Sequence, residues 1–266
     1  MPTWTALSPS QHQALAFRRF ADYHFAQMDP FAPVLAAELS EASAYYPLAF
    51  IAQGEAFQLV AVQSLQPGLN LYVGPQGQWQ APYVPSCYRS HPFRLLPKPD
   101  DESQQILCFD ADSSLIDEDN SNLDSLAVFD REGQPSETLQ PIIDFLQQRH
   151  NNQQLTDRAV ASLARHGLIQ PWPIKAQTDE EADSKAIEGL YHIDEERLKA
   201  LAPAALSELT ASGALGLAYA QLLSQARLKD FAVRYRQHDE YAKQQSSQMT
   251  DLDELFGENN ETLSFN

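Results

Sequence analysis

Twelve consecutive residues, Tyr83-Val-Pro-Ser-Cys-Tyr-Arg-Ser-His-Pro-Phe-Arg94, gather three aromatic rings, two prolines, two arginines and a histidine. Arg89 and Arg94 offer planar, bidentate donors suited to a carboxylate or a phosphate. His91 is an acid, base or donor near neutral pH. Trp79, Tyr83 and Tyr88 supply stacking surface, and Asn70 adds an amide not far away in sequence. Pro85 and Pro92 restrict the backbone and remove two donors, so the stretch reads as a shaped loop or an edge strand. Two readings stand open. In one, these residues form a ligand or partner site. In the other, the arginines pair with local carboxylates and the rings fill the core. The state of the two guanidinium groups decides between them.

Other residues imitate known chemistries less completely. Asp110-Ala-Asp112 follows an apolar run, as the nucleophile and general acid of a phosphatase would. Such an enzyme also needs later strand ends carrying Ser/Thr, Lys and an acidic pair, and the pattern after Asp130 is helical instead. A strand ending in an acidic turn is the simpler reading. Counted as a calcium loop from Asp110, position 6 is Leu115 rather than Gly and position 12 is Ser121 rather than Glu. His192-Ile-Asp194 with His238 resembles a two-His, one-carboxylate iron site. The segment between Asp194 and His238 reads as helix rather than as the strands of a barrel, and Asp194 reads as a helix cap. No Gly-x-Gly-x-x-Gly, Walker loop or Gly-x-Ser-x-Gly elbow is present. Cys87 and Cys108 have no metal-binding spacing and read as two buried thiols.

The elements that must position these residues change character along the chain. A helix is expected over Pro33–Ala44, then strands over Tyr46–Ala52 and Phe57–Leu65 joined at Gln53-Gly54-Glu55. Leu69–Val73 and Gln78–Val84 flank the turn Gly74-Pro75-Gln76-Gly77, and Gln105–Phe109 and Leu126–Phe129 are further strands. The second half predicts helices over Ser136–His150 and Thr156–Arg165, an extended Leu168–Ile174, and an exposed acidic Thr178–Lys185. A short Leu190–Ile193 strand and helices over Asp194–Leu201, Pro203–Ala211 and Ala214–Tyr235 follow. The expected fold is α+β: a β-rich N-terminal half packed with a helical C-terminal half, in one domain over residues 1–245. Residues 246–266 are expected to be a disordered acidic tail, with Leu252, Leu255 and Phe256 as its apolar content.

The chain has 266 residues and a formal net charge of −18, which repels phosphate backbones and argues against nucleic acid. Its longest uncharged runs are broken by Gly and Pro or interspersed with Gln, Ser and Thr, so no membrane span is expected. With no signal-peptide pattern at the start, the expected location is the cytoplasm.

An ordered series of residues carries a family resemblance. It runs Ala6-Leu7-Ser8 with His12, Tyr45-Tyr46-Pro47-Leu48-Ala49-Phe50, Gly68-Leu69-Asn70-Leu71-Tyr72 and Trp79. It continues through Tyr83-Val84-Pro85, Tyr88-Arg89, Pro92-Phe93, Cys108-Phe109-Asp110, and Phe129-Asp130 with Gly133. It closes with Leu190-Tyr191-His192-Ile193-Asp194, Gly213-Ala214-Leu215 and Tyr219-Ala220-Gln221-Leu222. From about Leu7 to Leu228 the chain resembles the bacterial SapC-like family. That family takes its name from a protein linked to a paracrystalline surface layer, and its members often neighbour TonB-dependent receptors, cupin-like proteins and halogenase-like proteins. The resemblance implies a non-enzymatic accessory protein, without a cofactor, that acts with a protein or peptide partner in a bacterial surface or TonB-linked uptake system. Its site would comprise Asn70, Trp79, Tyr83, Tyr88, Arg89, His91 and Arg94. The alternative is a peptide- or protein-modifying enzyme of oxygenase-like type whose metal ligands are unidentified.

Overall fold

Gly54, at φ +60°, turns the chain between two apolar runs and closes the hairpin Leu48–Gln53 with Ala56–Val62. This computed structural model describes residues 3–175 and 186–243. The hairpin is the centre of a five-stranded antiparallel sheet ordered Ile169–Pro171, Leu190–Ile193, Leu48–Gln53, Ala56–Val62 and Phe31–Pro33. The fold is α+β, strand-rich in its first half and helical towards its C-terminus. The sheet nevertheless takes two of its five strands from beyond residue 165.

Helices cover this sheet and bury Tyr46, Phe50, Leu59, Tyr72, Leu163 and Leu217 in the larger core. A smaller core, with Phe17, Phe93, Phe109, Val128, Leu139 and Leu146, lies beneath a second sheet ordered Trp4–Ala6, Asp101–Asp110, Phe93–Lys98. One helix, Gln140–Arg165, reaches both: Leu146 belongs to the small core, and Ala159, Val160 and Leu163 to the large one. Two helices with a break near Thr156 were expected there. Residues 142–165 contain neither Gly nor Pro, so nothing interrupts the ladder. Thr156 is no cap; its hydroxyl donates to the Asn152 carbonyl (2.8 Å) and accepts from the Ala36 amide (2.8 Å).

The Ala214–Tyr235 helix is likewise not continuous. Ala214–Ser224 is followed by a 3-10 stretch, Gln225–Asp230, before helix resumes over 231–243. Leu69–Val73 and Gln78–Val84 form no strands; they are joined by a single bridge between Val73 and Trp79 and by the Gln80 amide donating to the Tyr72 carbonyl at 2.7 Å. Leu190–Ile193 and Pro203–Ala211 fall where the pattern placed them, while the hairpin strands expected over Tyr46–Ala52 and Phe57–Leu65 form over Leu48–Gln53 and Ala56–Val62. Asp194 caps the Glu195–Lys199 helix, accepting from the Arg197 amide at 3.0 Å. The expected exposed stretch Thr178–Lys185 and the acidic tail lie outside the described residues.

Helix and sheet are joined by polar side chains where strand pairing ends. Leu190–Ile193 pairs with Leu48–Gln53 only at Leu190–Ile51 and Tyr191–Phe50. Beyond that, the buried Gln221 amide bridges the parted strands, accepting from the Ile193 amide and donating to the Leu48 carbonyl, each at 3.0 Å. Ser224 accepts from the Leu48 amide at 2.9 Å. The Ile193 amide and the Leu48 amide and carbonyl are thereby all satisfied away from water.

Candidate functional site

Pro85 leads into a single 3-10 turn, Ser86–Tyr88, and the chain then passes through a cis peptide at His91–Pro92 into the Phe93–Lys98 strand. The whole predicted stretch is therefore a loop that ends in a strand. Trp79 and Tyr46 tether its start. The Trp79 indole donates to the Tyr46 hydroxyl (2.9 Å) and to the Tyr83 carbonyl (3.0 Å), and the Tyr46 hydroxyl donates to that same carbonyl.

The strongest tether is Glu38, which is 7% exposed. Its carboxylate accepts from the Tyr83 hydroxyl (2.5 Å), the Ser86 amide (2.8 Å), the Ser86 hydroxyl (2.7 Å) and the Leu35 amide (3.0 Å). A buried carboxylate is tolerable when donors surround it in this way. Burial, reinforced by Glu38, holds the Tyr83 phenol well above its ordinary range. The Ser86 hydroxyl also accepts from Arg149 Nε at 3.2 Å, so the loop is tied to the long helix. Glu38 is not among the site residues expected from the sequence. The signal for it was local: a Glu three residues after Leu35 at the start of a helical turn, where it reaches back to the free amide. Arg149 is 63 residues from Ser86 and left no such signal.

Both arginines are exposed and neither meets a carboxylate among the described residues. Arg89 donates through Nε and Nη2 to the Val84 carbonyl (3.1 and 2.8 Å) and lies over the Tyr83 ring, 4.9 Å from its centroid. Arg94 lies over the Trp4 ring at 4.7 Å. Each guanidinium is thus held on an aromatic face. Asp29 is a partly buried carboxyl whose field reaches Arg94; burial raises its pKa, while Tyr88 and Arg94 act the other way.

His91 stacks flat on Phe25, with ring centroids 3.9 Å apart and an 11° tilt, and its Nε2 lies 3.3 Å from the Ser113 hydroxyl. Burial lowers its pKa to about 4, against the pull of Asp110 and with the push of Arg94. At neutral pH it is an uncharged ring in a cluster with Phe20, Tyr23, Phe25, Trp79 and Tyr88. Tyr88 is buried and donates to Gln63 Oε1 at 2.8 Å, and burial raises its phenol far above the ordinary value. Asn70 is 1% exposed and fully engaged: it donates to the Ala26 carbonyl (3.0 Å) and to Gln63 (3.3 Å), and accepts from the Tyr72 amide (2.9 Å). The predicted set thus divides. Arg89 and Arg94 face solvent, Trp79, Tyr83 and His91 are partly covered, and Tyr88 and Asn70 support them from beneath. Cys87 and Cys108 are free thiols, and burial pushes Cys87 up to about 12.

The imitators of other chemistries have structural work. Asp110 accepts from the Thr3 amide (3.0 Å) and Asp112 from the Thr3 hydroxyl (2.6 Å), which fixes the first strand. Asp117 gathers donors from Ser121, Asn122 and Ser125, which hold its carboxyl far below the usual range and shape the acidic loop. His192 stacks on Trp172 (5.7 Å, 20°), while Asp194 caps its helix and pairs with Arg197 (3.1 Å). Among the described residues no three His, Cys, Asp or Glu side chains gather as a metal-ligand set. No helix there is long and apolar enough to cross a membrane.

Fold and loop together define an α+β protein that presents ring-mounted arginines from a tethered loop. The chain belongs to the SapC family, whose model matches residues 7–231. No curated protein and no solved structure matches it.

Proposed function

We propose that the protein is a non-enzymatic accessory protein that binds a carboxylate-bearing protein or peptide partner in a bacterial surface or TonB-linked uptake system, working from the cytoplasm. One observation carries the reading. In a chain of net charge −18, Arg89 and Arg94 are exposed, held on aromatic rings, and without a carboxylate partner among the described residues. Arg149, behind Ser86, adds a third positive charge to the same loop. A guanidinium already held in place loses less freedom on binding than a free one, which favours affinity. The buried Glu38 hub holds the loop's shape whether or not a partner is present.

The test compares the wild-type chain with the Arg89→Ala, Arg94→Ala double variant in affinity capture from lysate of the source bacterium. The expected result is a melting temperature within about 2 °C of wild type, since exposed substitutions are nearly neutral, together with loss of the captured partner. A double variant that unfolds shows the arginines to be structural. A double variant that captures as well as wild type moves the site elsewhere. The enzymatic alternative draws no support from His192 and Asp194, since His192 stacks on Trp172 and Asp194 caps its helix.

A further inference from the structure

We propose that the free edge of the Trp4–Ala6 strand receives an extended, carboxylate-bearing segment of the partner as an added strand. The inference rests on the proposed partner binding and says how the partner's main chain is held. Trp4–Ala6 is an edge strand of the second sheet, antiparallel to Asp101–Asp110. The Leu7 amide donates to the Leu107 carbonyl (2.8 Å) and the Ala111 amide to the Thr3 carbonyl (2.9 Å). Thr3, Thr5 and Leu7 thus turn their main-chain groups into the sheet, and in an antiparallel ladder the residues between them face the other way. The N–H and C=O of Trp4 and of Ala6 therefore point outward, and no hydrogen bond meets them among the described residues. Ala6 is exposed. Edges of this kind are commonly blunted by proline, lysine or a bulge. Trp4-Thr-Ala6 has neither Pro nor charge, and its register against Asp110, Phe109 and Cys108 is unbroken. Two donors and two acceptors stand in the geometry that β-augmentation uses.

The register shows what an added strand would meet. Ala6, Cys108 and Arg94 lie opposite one another across the three strands, so they share one face. Trp4, two residues before Ala6, is on that face too. Phe93 and Phe109 occupy the other face, in the small core. Arg94 is exposed and crosses the outer face to lie over the Trp4 ring, 4.7 Å from its centroid. The nearby Asp29 feels its field but forms no ion pair with it among the described residues. The Thr3 end of the strand is negative instead, since Asp110 and Asp112 accept there from the Thr3 amide and hydroxyl. The two signs set the register of the newcomer: its carboxylate belongs level with Ala6, in the row of Arg94, and away from Asp112. A second copy would bring a net charge of −18 against an equal charge, so a separate partner with a local acidic segment is the better occupant.

The experiment titrates the full-length chain with acetyl-Val-Glu-Val-Glu-Val-amide and follows backbone hydrogen exchange. Strand addition predicts that the peptide slows exchange at the Trp4 and Ala6 amides and leaves Thr5, already paired within the sheet, unchanged. Two blocked peptides, N-methylated on the Val amides or on the Glu amides, are compared on the wild-type protein. At least one should bind about tenfold more weakly, because main-chain donors are lost. Ala6→Pro removes only an outward N–H, which an edge tolerates. It should bind the peptide about tenfold more weakly, with a melting temperature within about 2 °C of wild type. No binding at about 1 mM peptide, or equal binding of the parent and both methylated peptides, overturns the proposal. Edge protection that grows with protein concentration in the absence of peptide also overturns it, by assigning the edge to a second copy. Ala6→Pro keeps both arginines, so the two readings separate. If it binds as wild type while the arginine double variant does not, the added strand falls and the arginine site stands. The opposite pattern upholds the added strand while the arginine reading fails.

Discussion

Glu38 and His91 show how differently two ionisable side chains serve one loop. Glu38 is buried among donors, so its role is to hold Tyr83 and Ser86 in place. His91 is neutral and stacked, and its depressed pKa gives a pH signature. Between its unfolded value near 6.5 and its folded value of about 4, the unfolded chain takes up a proton that the folded chain refuses. The stability associated with His91 is therefore fully present above pH 6.5 and is lost as pH falls towards 4. Asp29 opposes this, since its raised carboxyl relieves a burial penalty as it protonates. Asp110 and Arg94 also face His91 and enter the wild-type curve. The variant difference isolates the histidine: the drop in melting temperature from pH 7 to pH 4.5 should be smaller for His91→Gln than for wild type. An equal or larger drop in the variant would mean that the buried ring is not the acid-sensitive group.

At the scale of elements, the Gln140–Arg165 helix is the clearest departure from the pattern. Asn151-Asn152-Gln153-Gln154 falls in the gap between the two expected helices because amides carry no apolar stripe, yet tertiary packing at both ends holds them helical. Gln154 is exposed at the end of this run, near the middle of the helix. Gln154→Pro should cost about 3 kcal/mol, by removing a ladder bond and clashing with the preceding turn. Chemical denaturation measures this, and a change below about 1 kcal/mol would fit two helices better than one. Much else was legible locally. Gly54 marked the central hairpin, Asp194 its helix start, and Pro203 and Gly213 the bounds of a helix. What sequence could not supply was pairing between distant strands, such as Leu190–Ile193 against Leu48–Gln53, or the contact of Arg149 with Ser86. For the proposed site, residue types drew attention to the loop but did not give the depth of each side chain. Asn70 and Tyr88, polar and aromatic like their neighbours, prove to be support within the core.

For the whole molecule, the net charge of −18 predicts that folding and the proposed binding respond to salt in opposite directions. Self-repulsion opposes the compact state and is screened by ions. The melting temperature should therefore rise by a few degrees between about 10 and 300 mM sodium chloride. Capture of an acidic partner by Arg89 and Arg94 should weaken over the same range, since it relies on attraction between exposed charges. A melting temperature that falls with salt would show that ion pairs such as Arg165–Glu208 outweigh the repulsion.

The Ser86 hydroxyl donates to Glu38 and accepts from Arg149, and that small junction has a mechanical meaning. Arg149 belongs to the helix that runs through both cores. A partner tugging on the loop would therefore pull against the spine of the molecule rather than against a loose hinge. A partner held at the proposed site would meet a stiff surface, and force applied there would be shared by both halves of the fold.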